Sequence, residues 1–311
     1  MTDVRRLLCG LLTGLVVMAG PAGCTSRPAG SGPTTAPAAP TVSMTDLATR
    51  SGGWPAGAGA LQTATDVLER SCMKAAGFAF PARPAARLPV PEDESAAIGL
   101  TKRRTQGYGL AVRNDTDARE PVDQSYEALS TAGKKRYQDA DVGTGAPHTT
   151  VRLYGRATAS VPTEGCVAES RARLAGDVKT WARLTYIPEQ LDERLTQEAA
   201  RDPRYLRALD NWRSCMTAHG LPYASPTAAV TALRERYTKE GVTERLRRYE
   251  INVAVTDGSC ATRNHLPATL LRARRSHVTQ LPPTDLALLA TLDHSNRIAV
   301  ARAGTVLEGE G

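Results

Sequence analysis

The stretch Cys72-Met73-Lys74-Ala75-Ala76-Gly77-Phe78-Ala79-Phe80-Pro81 returns later in the chain as Cys215-Met216-Thr217-Ala218-His219-Gly220-Leu221-Pro222-Tyr223. Apolar residues at helical spacing lead into each copy: Leu61, Val67, Leu68 and Cys72 in the first, Leu206, Leu209, Trp212 and Met216 in the second. Gly77 and Gly220 then stand where a helix end needs a residue with positive φ. Phe78 and Leu221 supply the apolar contact that accompanies such a cap. The motif predicts a helix end with a cysteine about a turn before it, facing a core.

A second pattern repeats as well. Thr163-Glu164-Gly165-Cys166-Val167-Ala168 is echoed, with one insertion, by Thr256-Asp257-Gly258-Ser259-Cys260-Ala261. Cys72, Cys166, Cys215 and Cys260 form an even set in a chain whose N-terminus reads as an export signal, so they imply two disulfides, with three pairings open. Their long gaps lack the close C-x-x-C pairs of a zinc site, and no metal is expected. The motifs alternate first, second, first, second. That order argues for a duplicated unit, each copy closing its own bridge: Cys72–Cys166 and Cys215–Cys260. The pseudo-repeats are expected over about residues 59–178 and 179–311.

Ahead of the repeats, Arg5 and Arg6 form a basic segment and Leu7 to Met18 a short apolar one. About a dozen apolar residues are too few to cross a hydrocarbon layer of roughly 30 Å as a helix, so residues 1–23 read as a signal peptide. The flanking Val4 and Leu7-Leu8 match a twin-arginine signal poorly. Ala22-Gly23-Cys24 resembles a bacterial lipobox, which makes Cys24 the expected lipidation site, although Pro21 stands where Leu is usual. The alternative is a secreted protein cut nearby. Residues 24–58, rich in Pro, Ala, Gly, Ser and Thr, read as a disordered tether.

The whole chain has 311 residues, 41% of them hydrophobic and 23% charged, which excludes wholesale disorder. A net charge of +7 is modest for this length, and no nucleic acid partner is expected. Residues 59–311 are expected to form a mainly α, disulfide-stapled domain with one small β-hairpin. Pro81 to Glu94 reads as irregular. Helices are expected over about Ser95–Gly107, Gln124–Asp139, Cys166–Leu174 and Pro188–Ala200, from Asp202-Pro203 and from Pro226, and over Thr243–Asn264. Thr284-Asp285 should cap a last helix. Thr149 to Val161 is the β signal, with Gly155-Arg156 at the turn.

Candidate chemistry is sparse. Ser71-Cys72-Met73-Lys74 matches S-x-x-K, but such a serine needs a helix N-terminus, and the partner motifs S-D-N and K-T-G are missing from the sequence. His148, His219, His265, His277 and His294 include no H-E-x-x-H, so surface or capping roles are expected. Asp115-Thr116-Asp117 and Asp139-Ala140-Asp141 lack the other ligands of a calcium loop and read as polar turns. Glu164 and Asp257, each beside a glycine, read as helix N-terminal caps. Trp181 and Trp212 read as core residues. The basic clusters Lys102-Arg103-Arg104, Lys134-Lys135-Arg136, Arg245-Arg247-Arg248 and Arg272-Arg274-Arg275 read as solvated helix faces. Their sharper reading is a surface for anionic envelope polymers or lipid headgroups.

Taken together, Cys72-Met73 with Gly77-Phe78, Gly165-Cys166-Val167-Ala168-Glu169, Trp212-Arg213-Ser214-Cys215-Met216 with Gly220, and Glu250 to Cys260 resemble a family of uncharacterised actinobacterial lipoproteins and exported proteins. The resemblance spans roughly residues 60–265. It implies an envelope location and brings no activity, cofactor or catalytic residue. The expected role is a non-enzymatic binding or scaffolding protein, lipid-anchored at the outer face of the membrane. The alternatives are an envelope hydrolase or modifying enzyme whose site is assembled from distant residues, and a lipid or small-molecule binder.

Overall fold

The computed structural model describes residues 39–82, 99–111 and 121–309. The signal segment, Cys24, the stretch up to residue 38, most of the irregular segment expected before Glu94, and Asp115-Thr116-Asp117 lie outside the described residues. Within them the chain forms twelve helices and one antiparallel hairpin, the mainly α class with one small hairpin that the sequence predicts. No helix among the described residues is long and apolar enough to cross a membrane.

The fold begins earlier than residue 59. Helices α1 (Val42–Thr49) and α2 (Trp54–Ala75) both start inside the stretch read as tether. Met44, Leu47 and Ala48 sit at helical spacing and are buried, and the Thr41 hydroxyl caps α1 by accepting from the Met44 N–H at 3.2 Å. Pro55 lies in the first turn of α2, where a proline costs no hydrogen bond. Gly57 adds closeness: a Cβ there would lie 3.1 Å from Val300. Small residues that resemble a linker by composition thus form a tightly packed helix.

The middle of the chain comprises α3 (Leu100–Gln106), α4 (Pro121–Glu127), α5 (Thr131–Val142), strands β1 (His148–Arg152) and β2 (Thr158–Pro162), and α6 (Cys166–Ala175). The helix expected over 124–139 is therefore two helices, because Ser130 breaks the run and caps α5 by accepting from the Gly133 N–H. Asp139 and Asp141 fall in the last turn of α5, not in a turn between elements, and Asp139 pairs with Lys135 one helical turn back at 2.7 Å. In the hairpin Val151 faces Ala159, and Val151 and Val161 are buried with Ala182.

Six helices complete the chain: α7 (Val178–Ala199), α8 (Pro203–Ala218), α9 (Pro226–Glu240), α10 (Glu244–Arg263), α11 (Leu266–Val278) and α12 (Pro283–Glu308). Helix α7 starts ten residues before Pro188, where the sequence placed its beginning. The Asp177 carboxylate accepts from the Lys179 and Thr180 N–H groups at 2.8 Å each, and the apolar run Leu184, Ile187, Leu191, Leu195 carries the helix through the proline. Asp285 does not cap α12 through its side chain. Its carboxylate accepts instead from the Tyr154 hydroxyl at 2.6 Å and from Arg194 at 3.1 Å, tying the hairpin turn to α7 and α12.

Both predicted bridges are present, Cys72–Cys166 with Cα atoms 5.6 Å apart and Cys215–Cys260 with Cα atoms 5.8 Å apart. The first motif holds in both copies. Gly77 and Gly220 have φ of 86° and 73°, the Phe78 and Leu221 N–H groups reach back to the Met73 and Met216 carbonyls, and both methionines are fully buried. The second motif diverges. Cys166 opens α6 behind Gly165 at φ 91°, whereas Gly258 and Cys260 lie within α10. Nor does the core divide at residue 178. One apolar cluster joins α1 and α2 to α6, α7 and α12, so the two ends of the folded chain share a core. A second gathers Tyr108 and Leu110 with residues of α8, α9 and α10. A smaller third surrounds the Cys72–Cys166 bridge with Phe80 and Tyr137.

Candidate functional site

Among the described residues, two groupings of polar side chains bear most on function, one closed and one open. The closed one is built on α10, where Glu250 and Asp257 lie seven residues apart and so on one face. Both are completely buried. Asp257 accepts from the Trp212 indole N–H at 2.9 Å through Oδ1. Its Oδ2 accepts from Arg103 at 2.7 Å and from the Tyr108 hydroxyl at 2.9 Å. Arg103 also donates to the Ala254 carbonyl at 2.8 Å. Glu250 accepts through Oε1 from the Tyr108 and Leu110 N–H groups at 2.8 and 3.0 Å, and through Oε2 from the Tyr237 hydroxyl at 2.7 Å. Burial and the Glu250 carboxylate together push the Tyr237 phenol up, which keeps it a donor.

Two glycines admit this network. Gly107 has φ 62°, and a Cβ there would lie 2.8 Å from the Glu250 side chain; at Gly258 it would lie 2.9 Å from Arg103. Every carboxylate oxygen of the pair has a donor, so the cluster fastens α3 and the turn after it onto α10. Asp257 is therefore no cap, and Arg103 does not belong to a solvated basic face. Arg274 departs from its cluster in the same way. It is buried, bonded to the Asp192 carboxylate at 2.5 Å and to the Thr49 carbonyl. Desolvation pushes the Asp192 carboxyl up to about 6, against the pull of the Arg274 guanidinium.

The remaining sequence candidates do not converge. Ser71 and Lys74 are exposed on the last turn of α2. Glu164 is exposed, and Gly165 stands at the N-cap of α6 with no side-chain cap. His294 sits mid-way along α12 rather than near a helix end. His219 ends α8 beside Cys215 and Cys260, a grouping of metal-ligand types, but both sulfurs are committed to their bridge.

The open site went unforeseen. A cleft of about 410 Å³ lies between α2, α6 and α7, with Asn296 of α12 at its edge. Trp54 and Trp181 both line it, each half-buried against the main core cluster. Arg50, held at φ 49° by the close of α1, lies over the Trp54 ring at 4.8 Å. Arg171 enters from α6; its Nε is buried and finds no partner among the described residues. Gln62, Thr65 and Glu69 come from α2, Thr185 and Glu189 from α7. A volume of this size with aromatic walls and a few convergent polar groups is what a small ligand or one unit of a larger one requires.

Trp181, read as a core residue, is thus a cleft wall, whereas Trp212 is core. Because Arg50, Trp54, Arg171 and Trp181 come from separate elements, no motif could bring them together. Comparison with protein-family models, with curated proteins and with solved structures finds no match to this chain.

Proposed function

We propose that this chain is an exported, non-enzymatic binding protein of the cell envelope, held to the outer face of the membrane by a lipid on Cys24, with its ligand seated in the Trp54–Trp181 cleft. The cleft carries the reading: it offers stacking surfaces and hydrogen-bonding groups of both kinds at an accessible surface. The charge-dense cluster on α10 is consumed in holding the fold. The two disulfides are in keeping with an oxidising compartment. The Arg5-Arg6 segment, the apolar run after it and Ala22-Gly23-Cys24 support export and lipidation.

Anchoring is tested by expressing the full chain and its Cys24→Ala variant in a lipoprotein-processing bacterium fed an alkyne fatty acid. The parent should take up label and sediment with membranes, and the variant should do neither. Unlabelled, soluble parent protein would contradict the anchor. Binding is tested by native mass spectrometry of the full chain extracted from its own membranes. A bound mass lost in the cleft-filling Thr185→Trp variant is expected; a mass retained in that variant would place the ligand elsewhere.

A further inference from the structure

The cleft does not end at its two tryptophans. Trp54 and Asn296 are shared with a neighbouring depression of about 460 Å³ running along α12. Arg171, Trp181 and Thr185 are shared with a smaller one of about 40 Å³ that reaches the hairpin at Val161. The cleft and the larger depression adjoin at Trp54 and Asn296 and together form a trough with that indole between its two compartments, while the void beyond Trp181 is too small for a ligand ring. Such a trough suits an extended ligand of repeating units more than a single compact molecule.

Its lining narrows the chemistry. Beyond Trp54 the trough adds Asp293 and Arg297, themselves paired at 3.4 Å, and Asp46, paired with Arg275 at 2.6 Å. Cations and carboxylates therefore both line it. A polyanion would be repelled at Glu189 and Asp293, and an apolar helix would strip water from the charged groups along the lining. Sugar rings meet both requirements. Their C–H faces stack on indoles, and their hydroxyl and amide groups both donate and accept. We propose that the trough binds a linear, uncharged glycan chain of several residues, with Trp54 and Trp181 as stacking platforms and the half-buried Arg171 guanidinium as a donor to the sugar between them. The inference rests on the cleft being the ligand seat and adds the class and length of the ligand.

The test is calorimetric titration of the full chain with chito-oligosaccharides of two, four and six units, beside a neutral tetrapeptide and a polyglycerol phosphate. Affinity should rise at least about tenfold from the disaccharide to the hexasaccharide as further compartments are filled. Trp181→Ala and Thr185→Trp should each weaken the hexasaccharide by about tenfold or more; Thr185→Trp should keep the parent's melting temperature, and Trp181→Ala, which loses packing on the main core, is titrated well below its own. Thr185 is exposed, so its replacement does not disturb the core. Affinity independent of length, or tighter binding of the peptide or the polyanion, would overturn the glycan assignment and leave the cleft as a ligand seat. Glycan binding unaffected by both variants would overturn the seat as well. Failure of all three oligosaccharides while native mass spectrometry still shows a cleft-bound mass would overturn this inference alone.

Discussion

Arg103 and Asp257 meet at 2.7 Å across 154 residues of chain, both essentially removed from water. An ion pair so buried adds little net stability over an apolar pair, but it is costly to break because the surviving charge stays inside. Asp257→Ala should lose about 3–5 kcal/mol in urea unfolding, and the paired replacement Arg103→Met with Asp257→Leu should recover only the share owed to the stranded Arg103 charge, since Trp212 and Tyr108 still lose their acceptor. A loss under about 1 kcal/mol in the single variant would contradict the clamp on α10.

Gly258 offers a sharper test because propensity and packing oppose each other. Alanine is the better helix former by about 1 kcal/mol in an exposed helix interior. Here its Cβ would press on Arg103 and Leu100 at 2.9 Å. Gly258→Ala is expected to destabilise by about 1–3 kcal/mol, as overpacked sites do. A gain in melting temperature would show that α3 does not sit so close.

Asp192 gives the protein a pH signature. Its folded-state carboxyl is raised to about 6 from an ordinary value of 3.8, so the folded state holds the proton more tightly than the unfolded state. The resulting stabilisation is full below about pH 4 and is lost as pH rises through about 6. Asp192→Asn should flatten that part of the stability–pH curve. An unchanged slope in the variant would assign it to other groups.

The bridges are checked by non-reducing peptide mapping, which should recover Cys72 joined to Cys166 and Cys215 joined to Cys260. Replacing Cys215 and Cys260 together by alanine should cost about 2–4 kcal/mol of stability, since a bridge constrains the unfolded chain. A Cys72–Cys215 peptide would contradict the fold itself.

What the sequence made legible was local. Gly77 and Gly220 end their helices because a left-handed residue is needed there, and that requirement is written in the residue type. The order of the motifs gave the pairing. Asp257 was misread because an acid beside a glycine looks like a cap, and only packing reveals that Gly258 is a seat for Arg103. Three successive basic residues on a helix point in three directions, so once α3 packed on α10 one of Lys102, Arg103 and Arg104 had to face inward. The tether reading failed at α1 and α2 because small residues signal flexibility by composition but close helix contact by position. The trough could not be read at all, since its walls come from α1, α2, α6, α7 and α12.

The central claim, that the Trp54–Trp181 cleft is where this protein binds, is tested most directly by the indole N–H resonances. The chain has three tryptophans, and Trp212 is fully buried with its N–H bonded to Asp257. A ¹H–¹⁵N spectrum of the full chain titrated with chitohexaose should show the Trp54 and Trp181 indole signals moving while that of Trp212 stays fixed. Three stationary indoles under a digest of envelope polymers as well, or movement of Trp212 alone, would contradict the account.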